Sequence, residues 1–166
     1  MEKYRTFFPR FVALLIDGFI MLPLGILDAW FRQVEFPPSF FYLWIPVSSL
    51  VSPVYTIVMH GLYGQTLGKM AMNVKVLDAG REEPIKFIQA ILREAPQLVF
   101  NIVVIYLLIV FFPQNFDAET VKSHFSVFAA LSSAWVLADV LVFLFNDRAR
   151  ALHDFLAGTV VVKTNM

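Results

Sequence analysis

The chain has no cysteine among its 166 residues. Disulfides, thiolate catalysis and cysteine metal sites are therefore excluded, and the redox compartment is unmarked. Charge is scarce: Asp, Glu, Lys and Arg make up 16% of the chain, where a soluble domain carries ~25%. The charge present cancels, 13 basic against 13 acidic residues, so no electrostatic argument points to nucleic acid as a partner. Internal repeats and low-complexity tracts are also missing. What remains is apolar: 58% hydrophobic residues and a mean hydropathy of +0.69. The length fits one domain, residues 1–166.

Four stretches read as membrane spans, at about 11–31, 40–60, 92–112 and 124–145, each near the ~20 apolar residues needed to cross a bilayer. The start, Met-Glu-Lys-Tyr-Arg, is basic and precedes an apolar run, as in a signal peptide. That run is too long for such a peptide, contains Asp17 and has no Ala-x-Ala exit, so a retained span is expected. Lys and Arg are distributed unevenly. The N-terminus has Lys3, Arg5 and Arg10; the loop after span two and the start of span three have Lys69, Lys75, Arg81, Lys86 and Arg93; the tail has Arg148, Arg150 and Lys163. Only Arg32 and Lys122 fall on the other side, in the loop Arg32–Ser39 and in the loop Pro113–Ser123. The positive-inside rule then puts both termini and the middle loop in the cytoplasm.

Each span carries polar residues at helical spacing. In the first, Arg10, Asp17 and Asp28 are seven and eleven residues apart, which returns each to within about 20° of one helical stripe. In the second, Ser49, Ser52, Thr56 and His60 share a face, and Pro46 and Pro53 free carbonyls that neighbours must satisfy. The third has Arg93, Gln97 and Asn101 at four-residue steps; the fourth has Ser132, Asp139 and Asn146 at seven. For the neutral residues the plain reading is that small and hydroxyl side chains hold helices together. Intramembrane carboxylates are expensive, so Asp17 and Asp139 are the stronger functional candidates. Both lie ~10 Å inside the basic end. A cluster of Arg10, Asp17, Arg93 and Asp139 is therefore expected there, with Asp154 bracing the basic tail from below.

The polar segments have structure of their own. Asn73–Asp78 alternates like a strand and ends at Ala79-Gly80; Gly158–Lys163 is a second β-branched run on the same side, and the two are expected to pair as a short ribbon. Pro84 suits the first turn of a helix. After it, Ile85, Phe87, Ile88, Ile91 and Leu92 alternate with Lys86, Gln89 and Arg93 as in an interfacial helix, with Pro96 kinking its junction to span three.

Motifs for chemistry are few. Gly61-Leu-Tyr-Gly64-Gln-Thr-Leu-Gly68-Lys69-Met70 fails as a phosphate loop: Tyr63 stands where the first glycine belongs and Met70 where Ser or Thr does. A glycine-rich turn leaving span two accounts for it better. His60 and His153 could share a face with Asp154 beside them, a weak spacing for a metal. No nucleophile–base order or cofactor motif appears, so no enzyme, cofactor or metal is expected.

Three motifs in order resemble the RDD family of membrane proteins, named for an arginine and two aspartates. They are Arg10-Phe-Val-Ala-Leu-Leu-Ile-Asp17; Gly64-Gln-Thr-Leu-Gly68-Lys69 with the Val-Lys-Val that follows; and Arg148-Ala-Arg-Ala-Leu-His153-Asp154-Phe-Leu-Ala-Gly158-Thr159-Val-Val-Val. The resemblance covers nearly the whole chain and makes Arg10, Asp17 and Asp154 the name-giving residues. It implies a bacterial inner membrane and a part in transport, with cation–proton exchange for some members.

The expectation is an all-α bundle of four transmembrane helices with a short cytoplasmic β ribbon and an interfacial helix. Functionally it reads as a small transporter or transporter subunit with ion- or proton-linked carboxylates; the alternative is a membrane scaffold or assembly factor whose charges only hold helices together. Expected partners are the lipid bilayer and a second copy or another membrane protein, because four spans are few for a self-contained carrier. Orientation has a direct test: cysteines placed at Gln33 and Asn115 should react with an impermeant reagent from outside the cell, and Lys69→Cys should not. Labelling of Lys69→Cys from outside would reverse the arrangement.

Overall fold

Long apolar segments with no water to satisfy their backbones must close their hydrogen bonds internally, which leaves helices as the available solution here. The computed structural model describes residues 2–34, 36–111 and 118–164. Four long helices dominate it: α1 (Phe7–Gln33), α2 (Pro38–Tyr63), α4 (Phe87–Phe111) and α5 (Ala118–Leu144). Each is long and apolar enough to cross a membrane. Two short helices, α3 (Leu67–Ala71) and α6 (Leu152–Leu156), follow α2 and α5, and each leads into a strand, β1 (Val74–Asp78) and β2 (Thr159–Lys163). Both termini, both short helices and both strands gather at one end, called the basic end below. Asn115, in the loop expected at Pro113–Ser123, lies outside the described residues; from Ala118 onward that stretch is the start of α5.

The long helices bury little of themselves, and residues such as Phe19, Leu43 and Leu137 stand outward, as lipid-facing side chains do. Four prolines sit inside them, at 23, 46, 53 and 96. A proline has no N–H and orphans the carbonyl four residues earlier. For Pro53 that carbonyl is Ser49, and Asn101 Nδ2 on α4 donates to it at 2.9 Å. Asn101 itself is buried and also accepts from Gln97 at 3.2 Å. The polar stripes of α2 and α4 thus meet, and one side chain closes the defect that a proline opens. At the far end Asp28 accepts from Arg32 at 2.8 Å and from Trp44 at 3.0 Å. Phe31, Phe36, Phe40 and Trp44 pack ring on ring around it.

The fully buried hydrophobic core lies under the sheet, not between the long helices. Val74, Val76 and Val161 join Ile85 and Ala90 at the start of α4. The strands are antiparallel, with Val76 opposite Val161 and Asp78 opposite Thr159, as the two β-branched runs required. A lone ribbon is marginal in water; this one buries Val74 and Val76 of β1 and Thr159 to Val162 of β2. The 3₁₀ turn Glu2–Tyr4 also reaches the middle loop, where Lys3 and Tyr4 both bond Glu82.

One expectation is corrected. The amphipathic stretch after Pro84 is no separate interfacial helix. It forms the first turns of α4, which continues through Pro96 without a break. Pro84 itself bridges Leu77. A proline within a helix breaks one backbone bond, and neighbouring turns on both sides are enough to carry the axis through.

The register gives a test. Val76 N–H donates to Gly64 O rather than across the ribbon, so Val76 and Val161 form a non-hydrogen-bonded pair, with Cα atoms ~4.5 Å apart. That spacing suits a disulfide. The double variant Val76→Cys/Val161→Cys should oxidise nearly completely, and a pair that stays reduced under oxidant would refute the register.

Candidate functional site

Asp154 lies on the first turn of α6 and is fully buried. Its Oδ2 accepts from Ala151 N–H at 3.1 Å, which caps the helix, and Arg10 Nη2 of α1 lies 2.6 Å from the same oxygen. Arg93 Nη1 of α4 lies 2.5 Å from Oδ1, and the Thr159 hydroxyl of β2 donates to Oδ1 at 3.3 Å. Burial alone would raise the pKa of this carboxyl. Arg93 and Arg10 overcome that and hold it well below the usual carboxylate range. Arg10 Nη1 donates to Ala149 O, and its guanidinium lies 5.2 Å over the Phe143 ring of α5. Arg93 also donates to the Thr159 hydroxyl at 2.9 Å. Asp154 therefore ties α1, α4, α6 and β2 together.

Asp17 is held differently. Its carboxylate accepts from the Tyr55 hydroxyl at 2.9 Å, the Thr66 hydroxyl at 2.6 Å and Gly68 N–H at 2.8 Å. All three donors are neutral. Thr66 is the N-cap of α3, so Asp17 grips the start of that helix from α1. Gly68 must be glycine for the approach: a Cβ there would come within 2.1 Å of Ala13 O. The Gly64-Gln-Thr-Leu-Gly68-Lys69 motif is thereby explained. Gly64, at φ +72°, ends α2 in the left-handed region that glycine adopts freely. Gly68 then lets α3 lie against α1, and Lys69 points back toward α2.

Asp139 on α5 accepts from His153 N–H at 3.0 Å and from its Nδ1 at 2.9 Å. The other ring nitrogen, Nε2, meets Arg93 Nη2 at 3.1 Å. His60 does not pair with His153; its Nε2 lies 2.7 Å from Lys69 Nζ. The weak metal reading fails on that geometry, and no group of His, Asp and Glu is placed to hold a metal among the described residues.

A cavity of about 610 Å³ opens at this end of the bundle. Its lining includes Arg10, Asp17, Arg93 and Asp139, together with Ser52, Thr56, His60 and Gln97 from the helical stripes. The expected cluster is thus gathered around one space, with its pairing changed. Asp154 is the hub rather than an outer brace, Asp17 bonds Tyr55 of α2 and the start of α3 rather than Arg10, and Asp139 bonds His153. Ser49 and Asn101 lock α2 to α4. The sequence reading missed Lys69, Glu94, Tyr55 and Thr66 as cavity residues. For Glu94 a signal existed, since it is a carboxylate three residues before Gln97 inside a long apolar helix. Lys69 and Thr66 gave none, because their positions depend on how the loop folds back.

Asp154→Asn leaves two guanidiniums buried against a neutral amide. Breaking a buried pair in this way costs ~3–5 kcal/mol, and folded yield in detergent should fall sharply. The native pKa of Asp154 is depressed, so its stabilisation is fully present above the unfolded value of ~3.9 and is lost as pH falls below it. Wild-type stability should lose this contribution only in acid below about pH 4. The Asn variant should lack that component, and equal acid sensitivity in both would contradict the hub.

A family model described as RDD family matches residues 4–158. None of the curated proteins and none of the solved structures matches the chain. The matched stretch takes in all four long helices and Arg10, Asp17 and Asp154. Since it covers nearly the whole chain, this multi-pass membrane protein belongs to the RDD family.

Proposed function

We propose that this chain is a small membrane transporter, or the ion-coupled subunit of one, whose working site is the charged cavity at the basic end. The observation that carries the reading is the lining: a space of about 610 Å³ bounded by the carboxylates Asp17, Glu94 and Asp139 and by the basic residues Arg10, Lys69 and Arg93. A cavity of water-accessible size at membrane depth, lined by ionisable groups, is the usual mark of an ion or proton pathway. Asp139 is the exchanging carboxylate. Its side chain keeps part of its surface open and is bonded to a histidine rather than an arginine. Asp17, saturated by three donors, holds the loop in place. The Lys/Arg bias supports a cavity and both termini on the cytoplasmic face, and the family likeness supports a bacterial inner membrane. α5 shows no buried residue along its apolar length from Ser126 to Leu144, which leaves room for a second copy or a membrane partner.

A scaffold role is the second reading, favoured by Asp154, whose four donors make it a structural tie. Flux separates the two. Purified protein in proteoliposomes should dissipate a pH gradient when sodium or potassium is added outside. Asp139→Asn should fold and lose that flux, whereas Asp17→Asn should lose folded yield, because an amide cannot accept from all three donors. Absence of ion-dependent proton movement in the wild type would favour the scaffold.

A further inference from the structure

The same loop that Asp17 anchors carries Lys69 into the cavity, and there the amine meets His60 instead of a carboxylate. Lys69 Nζ and His60 Nε2 are 2.7 Å apart. Two basic nitrogens at that distance cannot both carry a full set of protons, because one must offer a lone pair to the other. His60 is 1% exposed, and its other nitrogen, Nδ1, is buried with no hydrogen-bond partner among the described residues.

We propose that Lys69 and His60 form a single-proton binding site on the cavity, an amine–imidazole pair that takes up and releases one proton; this rests on reading the cavity as an ion-coupled pathway. In the loaded state the ammonium donates to Nε2, and the imidazole proton sits on Nδ1. In the unloaded state Nε2–H donates to the lone pair of the neutral amine. The loaded pair holds four protons on its nitrogens and the unloaded pair three, so the states differ by one proton and one unit of charge.

The surroundings set the balance between the states. Arg10 on α1 and Arg93 on α4 oppose a charge on Lys69, while Asp154 on α6 and Glu94 on α4 favour it. Asp17 faces the same cavity from α1 but is saturated by its three donors. Asp139 on α5 is engaged by His153 of α6. Among the described residues β1, also packed on α3, lines the cavity with none of its ionisable side chains. Burial, with Arg93 and Arg10, brings the Lys69 amine down to about 7. A proton there exchanges near neutral pH, where an ordinary lysine at ~10.4 stays charged. Glu94 bears on Lys69 and lines the same cavity. A small cation beside it would weaken its pull on the proton, which links cation entry to proton release.

Competitive acylation by acetic anhydride, read residue by residue by mass spectrometry on the intact protein in nanodiscs, measures the amine directly. Lys69 acylation should follow a midpoint within about one unit of pH 7, far below the ~10.4 of an ordinary lysine. Histidine ¹⁵N spectra supply the second reading: His60 should exchange Nδ1–H for Nε2–H across the same midpoint. A Lys69 midpoint above about 9, or a His60 tautomer constant between about pH 6 and 9, overturns the pair. Neither reading needs a transported ion. A titrating pair without ion flux would sink the transport reading alone, and ion flux without titration would sink this one.

Discussion

The structure depends on one buried carboxylate. Asp154 has no exposure and receives two guanidiniums, a backbone N–H and a hydroxyl. Moving a carboxylate out of water costs several kcal/mol and is recovered only when the geometry and the remaining hydrogen bonds are good. Here they come from four different elements, so the cost of burying one charge is offset only if all four arrive together. That condition explains why the start of α1, the start of α4 and the tail meet at one point. It also explains why the sheet forms there: Thr159, which opens β2, is bonded to both Asp154 and Arg93.

Asp17 imposes a second, separate constraint. It spends its acceptors on Tyr55, Thr66 and Gly68, and in doing so folds the loop after α2 back onto α1. The tight contact of Gly68 with Ala13 O leaves no room for a side chain. Once the loop is fixed, Lys69 has nowhere to go but the cavity beside His60. A carboxylate that holds the loop thus sets where the Lys69 amine lies. Asp154 and Asp17 divide the work: the first closes the bundle end, and the second shapes the cavity beside it.

Much of the fold was legible in the residues. Apolar runs of about twenty, cut by polar loops, marked four helices, and the β-branched runs at 73–78 and 158–163 marked the ribbon. The freed carbonyl at Ser49 followed from Pro53, and Asn101 lay on the polar stripe of span three, so their meeting was within reach. The boundaries were less legible. α4 begins at Phe87 rather than near 92, because Ile85 and Ala90 are buried under the sheet, and burial there extends the helix past the membrane-spanning part.

Hydropathy and helical period settle which segments cross a membrane and which side chains share a face, because both depend only on neighbours along the chain. The sequence by itself therefore determined the four spans, the stripes of Arg10 and Asp17, and the asymmetry of its lysines and arginines. Which charge pairs with which is set by the approach of elements far apart in sequence. Arg10 is 144 positions from Asp154 and only 7 from Asp17. Spacing favoured the near partner, yet a helix holds residues seven apart about two turns from each other. Tertiary packing brought the distant carboxylate to 2.6 Å. The pairing of Lys69 with His60 was decided the same way, by a loop folding back over the bundle end.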